Sequence, residues 1–182
     1  MGEQPDVHDV PGDEVFTHWD ELARVYQDAF AEHPYNEPAD AVDGFRRRLD
    51  DQFRTPGFRL IGAFTRRRMI GFGCGHTLEP GASWWHSSRT TVPPELATET
   101  GGRSFVVREL AVVSACRGMG VGRSLLGALL ARRTEERAVL TVPPETAVAQ
   151  LLQKIEFGAA TTAQAGHRGR PGSPGDSGMA GA

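Results

Sequence analysis

One stretch constrains the rest of the chain: Leu110-Ala111-Val112-Val113-Ser114-Ala115-Cys116-Arg117-Gly118-Met119-Gly120-Val121-Gly122-Arg123-Ser124-Leu125-Leu126. Upstream, Ser104 to Val113 is β-branched and apolar, broken only by Arg108-Glu109, and reads as a strand. Downstream, a helix opens near Gly120 and gathers Val121, Leu125, Leu126, Leu129 and Leu130 on one side. The connecting loop has glycine at 118, 120 and 122. Such a loop can turn several main-chain N–H groups toward one point, where the helix dipole also favours negative charge. Each glycine lets the backbone come closer to a ligand than a Cβ would allow. The expected ligand is a phosphate or pyrophosphate, and the competing reading is a glycine-rich turn that binds nothing.

The remaining elements predict one mixed α/β domain over 14–157. Residues 1–13 hold Pro5, Pro11 and Gly12 among charges and read as a loose lead-in, with Val15-Phe16 as a short first strand. Trp19, Leu22, Ala23, Tyr26 and Phe30 recur at helical spacing, with Thr17 as the expected N-cap. His33 to Pro38 ends that helix, and a second from near Pro38 presents Val42, Phe45, Leu49 and Phe53. Phe58 to Thr65 and Met69 to Glu79 read as a hairpin turning at Arg66-Arg67-Arg68. Side chains alternate along a strand, so Gly71, Gly73 and Gly75 leave one face bare, and a helix or ligand must lie against it.

Pro80 to Gly102 is a long connection with a short helix, Pro93 to Thr100. Within it Trp84-Trp85-His86 either covers the core or lines a substrate mouth. Ala138 to Val142 is a further strand, followed by a helix from Pro144 that carries Val148, Leu151, Leu152 and Ile155. Periodicity stops after Phe157. Residues 158–182 are mostly Gly, Ala, Pro, Ser and Thr, and are expected to be a disordered tail.

Composition narrows the function classes. A net charge of −3 gives no basic excess and argues against a nucleic-acid partner. No apolar run approaches the length of a membrane span. Cys74 and Cys116 cannot build a disulfide framework, and the six histidines show no ligand spacing, so no metal is expected. The acidic N-terminus lacks a secretory layout, which makes the expected location cytoplasmic.

Three phosphate-binding patterns compete for the glycine loop. A P-loop needs a Lys-Ser/Thr pair that is absent, and a dinucleotide fingerprint needs glycine where Arg123 stands. Arg-x-x-Gly-x-Gly fits, at Arg117, Gly120 and Gly122. Between its L-x-V strand and its apolar helix, this loop resembles the acyl-CoA pyrophosphate loop of the GNAT family of N-acetyltransferases. The order of elements ahead of it agrees.

The resemblance implies an α/β mixed sheet of the GNAT acyl-CoA acyltransferase kind. It also implies transfer of an acetyl group from acetyl-CoA to the primary amine of a small molecule. Acetyl-CoA would lie where the strand Ser104 to Val113 splays from Ala138 to Val142. Main-chain groups of Leu110, Ala111 and Val112 would meet the pantetheine. Those of Arg117, Gly118, Met119, Gly120, Val121 and Gly122 would hold the pyrophosphate, with Arg123 and Ser124 nearby. The acceptor amine must lose a proton before attack, so a carboxylate or water relay serves as base. Glu109, the one acid inside the central strand, is the first candidate and Glu79 the second. Alternation turns Glu109 away from Leu110 and Val112 unless a bulge intervenes, and Arg108-Glu109 also has a purely structural reading. The acidic segment Asp28 to Asp43 lies where relatives bind acceptors and would attract a cationic amine.

Two departures accompany the resemblance. In the family's N-x-x-A-x-x-x-Y-x-x-x-G-F frame this chain has Glu145, Val148, Leu152, Glu156 and Phe157. Leu152 thus replaces the tyrosine that protonates the departing thiolate. The second departure is the tail, whose composition cannot supply the fold's last two strands. The sheet is therefore expected to lack them and to leave an unpaired edge at Ala138 to Val142. Either the C-terminus is a replaced one, or a second copy donates strands in a homodimer. The alternative function is a non-catalytic acyl-CoA-binding or interaction module.

Overall fold

The computed structural model describes residues 4–85, 93–141 and 162–164. They form one six-stranded sheet in chain order: β1 (Asp6–Asp9), β2 (Arg59–Thr65), β3 (Arg68–Thr77), β4 (Ser104–Val112), β5 (Arg137–Thr141) and β6 (Thr162–Gln164). The first four strands are antiparallel neighbours, and β5 and β6 are added parallel. Helices α1 (Trp19–Phe30) and α2 (Ala41–Phe53) cover one face. Helix α4 (Val121–Leu130) covers the other, and α3 (Pro94–Ala97) sits in the β3–β4 connection.

The α1–α2 side is an aromatic core built on Phe45, whose ring stacks on Tyr26 at 4.3 Å and on Phe72 at 5.6 Å. Helix α1 buries Leu22, Val25, Tyr26, Ala29 and Phe30, and α2 buries Phe45, Leu49 and Gln52. The residue at the N-cap of α1 is His18, and the Thr17 hydroxyl donates to the Glu14 carbonyl instead. On the opposite face the bare glycines are met by a helix. A Cβ at Gly71 would stand 3.0 Å from Leu125, and one at Gly73 would stand 3.6 Å from Leu129. Removing side chains at 71 and 73 lets α4 lie directly on the sheet.

Two expectations about the sheet's rims are corrected. The first strand is not Val15-Phe16 but Asp6–Asp9, inside the supposed lead-in. Only Val7 there is aliphatic, and pairing rests on main-chain bonds to β2, helped by His8 stacking on Phe64 and by Asp9 with Arg59 at 2.6 Å. Val15 is wholly buried beneath the 3₁₀ turn Gly12–Glu14. At the other rim, β5 is not bare: Thr162, Ala163 and Gln164 pair with Val139, Leu140 and Thr141. A ladder needs N–H and C=O groups rather than apolar side chains, so composition did not reveal this strand. Among the described residues no strand follows β6, and the fold's terminal strands are missing from them. The helix expected from Pro144, with Glu145, Leu152 and Glu156, lies outside the described residues.

Candidate functional site

Strand β4 carries the site because, among the described residues, it is paired on one side along its length and on the other side only at its start. Its partners in β3 run from Phe105↔Thr77 to Val112↔Gly71. Its partners in β5 are three: Ser104↔Arg137, Phe105↔Ala138 and Val106↔Val139. Beyond Val106 the two parallel strands separate, and β5 turns its pairing to β6. The result is a wedge closed at Val106–Val139 and open toward Val112.

A bulge opens it. Cys74 faces Glu109 but Gly75 faces Val107, so Arg108 is an extra residue in β4. Bulges bend and twist a strand away from its regular neighbours. The extra residue also switches which face each side chain takes. Phe105, Val107, Leu110 and Val112 pack on the α4 side, whereas Glu109 and Ala111 stand on the α1–α2 side. Even with the bulge, Glu109 points away from Leu110 and Val112.

The main chain of β4 sorts by the same alternation. The Val113 N–H donates to the Ile70 carbonyl, which directs residues 111 and 113 toward β3. Leu110 and Val112 therefore aim their N–H and C=O groups at the open side of the wedge. Ala111, expected to face the ligand, spends its main chain on β3.

At the mouth of the wedge, α4 begins. Gly118 (φ +75°) and Gly120 (φ +84°) are both left-handed, a conformation that costs an L side chain strain. The Arg117 amide donates to Ser114 and the Ser124 amide to Gly120. Among the described residues no protein acceptor takes the amides of Gly118, Met119, Gly120, Val121, Gly122 or Arg123. Six donors thus cluster at the positive end of a helix. An anion at such an end would gain only ~0.3–2 kcal/mol from the dipole. The Arg117 side chain turns away and donates to the Ala29 carbonyl at 2.9 Å, while the Asp28 carboxylate accepts from the Ser114 amide. These two contacts fasten the loop to α1. The side chains of Arg123 and Ser124 are exposed, and Met119 is 65% exposed at the loop's tip.

The wedge's closed end is locked by a buried polar cluster. Glu99 accepts from Trp85, Ser104 and Arg137 at 2.9, 2.7 and 3.0 Å. This settles Trp85 as core packing; His86 lies outside the described residues.

On the α1–α2 face, Glu109 is 3% exposed and Arg48 approaches it at 3.5 Å. The same guanidinium donates to the Tyr26 hydroxyl at 2.8 Å, and that hydroxyl donates to Glu37 at 2.5 Å. This chain of polar groups ends beside a cleft of about 240 Å³ whose walls include Tyr26, Phe30, Glu37, Pro38 and Val42. Sequence reading missed Arg48 and Tyr26: both sit on helical faces that look like ordinary core and surface. Glu79 is exposed.

The profile of the Acetyltransferase (GNAT) family matches residues 19–157. The chain belongs to this family. Acetyl-CoA-dependent acyl transfer is the general function that membership carries, without specifying an acceptor. Solved structures share the GNAT fold at low identity. Aminoglycoside N-acetyltransferase AAC(6')-Iy in complex with CoA is 14% identical with a TM-score of 0.57, over 94% of this chain and 97% of that one. An aminoglycoside acetyltransferase from an uncultured soil metagenomic sample, in complex with sisomicin, is 14% identical with a TM-score of 0.54, over 82% and 85%. A ribosomal-protein-alanine N-acetyltransferase from Brucella melitensis biovar Abortus is 19% identical with a TM-score of 0.52, over 92% and 99%. Among curated proteins no sequence matches this one. No described helix is long and apolar enough to cross a membrane, and no group of potential metal ligands occurs among the described residues.

Proposed function

We propose that this GNAT domain binds acetyl-CoA in the β4–β5 wedge and acetylates the primary amine of a small, cationic molecule. The amides of residues 118–123 take the pyrophosphate, and the outward main chain of Leu110 and Val112 takes the pantetheine amides. Arg123 and Ser124 border the pyrophosphate, and Arg117 holds the loop in place. The acceptor approaches from the α1–α2 face, where Glu37 and the acidic loop around it favour an ammonium. Glu109 contributes negative charge next to the reacting centre and keeps Arg48 in place.

One observation carries this reading: six amides that find no acceptor among the described residues at a helix start, beside a strand edge that no described strand pairs. Calorimetry with acetyl-CoA tests the binding half, and thiol release with spermidine, tyramine and kanamycin tests the transfer half. Kanamycin represents the aminoglycosides after which two of the structural neighbours are named, one of them in complex with sisomicin. Binding with thiol release from at least one amine is the expected result. Binding without thiol release favours the non-catalytic acyl-CoA module, for which Leu152 in the tyrosine position speaks. Absence of binding overturns the reading.

A further inference from the structure

We propose that His76 takes the proton from the attacking amine, at the closed end of the wedge. The proposal rests on the transferase reading above and assigns a residue that the glycine-loop motif does not include.

Position is the first argument. His76 pairs with Val106, and Val106 forms with Val139 the last rung before β4 and β5 separate. Directly cross-strand residues share a face, so the imidazole lies on the face of Val106, which packs with Val139, Leu78 and Trp85. Along β3 the same face carries Phe72 and Cys74, which pack under α1 and α2. His76 therefore stands on the acceptor side, two positions along the ladder from the bulge that opens the wedge.

Tautomer is the second. The ring's Nδ1 lies 3.0 Å from the Thr77 carbonyl oxygen. A carbonyl oxygen only accepts, so Nδ1 carries the hydrogen and the neutral ring keeps its lone pair on Nε2. No hydrogen-bond partner of Nε2 occurs among the described residues. His76 is half-buried, so Nε2 can be reached. Glu109, by contrast, is 3% exposed and already faces a guanidinium.

Charge is the third. Burial pushes the His76 pKa below its ordinary value of 6.5; Arg108 from β4 adds to this, while the Thr77 hydrogen bond and Glu79 oppose it. On the far side of the rung, Glu135 and Arg133 hold the Thr77 hydroxyl at 2.6 and 3.2 Å. The net lowering leaves the ring neutral at pH 7, the form a base requires.

In the step, a proton passes from the acceptor nitrogen to Nε2, directly or through one water. The freed lone pair forms the N–C bond to the acetyl carbonyl carbon, the C–S bond breaks with its electron pair on sulfur, and the second proton of the attacking nitrogen passes to that thiolate, directly or through water. The histidine then releases its own proton to solvent.

The experiment follows kcat/KM against pH for the wild type and His76→Gln, with the acceptor that turns over among spermidine, tyramine and kanamycin. Neutral His76 is the active form, so wild-type activity should fall as pH drops through a pKa below 6.5. His76→Gln should lose that limb and about 100-fold in kcat/KM near neutrality, with acetyl-CoA affinity by calorimetry unchanged. An NMR titration of the wild-type ring needs no variant: its midpoint should match the kinetic limb, with Nδ1 protonated in the neutral form. A His76→Gln enzyme that keeps the limb overturns the proposal, as does a ring midpoint away from it. A wild type that binds acetyl-CoA yet releases no thiol overturns the transferase reading itself.

Discussion

Gly120 and Gly122 stand two residues apart and answer to different constraints. Gly120 has φ +84°, and a Cβ there would meet nothing within 4 Å, so its requirement is conformational. Gly120→Ala should cost ~1–2 kcal/mol in a denaturant titration and weaken acetyl-CoA binding with it. Gly122 is helical, and its added Cβ would make an ordinary 3.8 Å contact with Val112. Alanine there improves helix propensity by up to ~1 kcal/mol. Gly122→Ala should therefore keep or raise stability while reducing acetyl-CoA affinity about tenfold or more, a loss of ~1.4 kcal/mol or more. Equal affinity would show that no ligand lies over that amide. Glu109→Gln belongs at this scale too. With His76 as proton acceptor it should lower turnover by less than about tenfold and leave the acidic limb in place. Disappearance of that limb would return the base role to the carboxylate.

At the scale of elements, the bulge at Arg108 decides what β4 presents. Strict alternation would put Glu109 on the α4 side with Phe105 and Val107; one extra residue sends it to the other face. Gly75 sits opposite the bulge because a Cβ there would collide with the Val106 carbonyl and stand 2.8 Å from the Phe105 ring. Gly75→Ala should destabilise by ~1–3 kcal/mol, read from the denaturation midpoint. The closed end of the wedge depends on a different device. Arg137 and Glu99 are 3.0 Å apart with side-chain exposures of 5% and 1%. Arg137→Met would leave the carboxylate buried without its cation and should cost ~3–5 kcal/mol. Strands β2 to β5 were legible because they bury continuous or alternating apolar runs. The register shift between β3 and β4 was not, since a bulge is set by the partner strand's hydrogen bonds.

For the whole molecule, acid should act through the knot that joins three loops at one end of the sheet. Arg133 binds Glu135 and the Gly57 carbonyl and lies over the Phe105 ring at 4.2 Å, while Thr77 donates to Glu135 at 2.6 Å. Burial alone would raise the Glu135 pKa, but the hydrogen bonds from Arg133 and Thr77 bring it from 4.5 to about 2. Because the folded value is depressed, the stabilisation is complete above 4.5 and disappears as pH falls toward 2. Denaturation free energy measured across that window should decline, and Glu135→Gln should flatten the decline. A variant as acid-sensitive as the wild type would place the titrating group elsewhere.

The chain's own order fixed what depends on near neighbours: helical faces, the hairpin, the bare glycine face and the loop whose residue spacing resembles an acyl-CoA site. Those signals survive in sequence because a helix or strand repeats its geometry every few residues. The tertiary structure decided the rest. Strands β1 and β6 exist through main-chain pairing that asks little of their side chains, so neither Asp6–Asp9 nor Thr162–Gln164 announced itself. His76 acquires its tautomer from the Thr77 carbonyl, and burial on the sheet does most to lower its pKa. Desolvation and hydrogen-bond partners are properties of the packed molecule, and no periodicity along the chain encodes them.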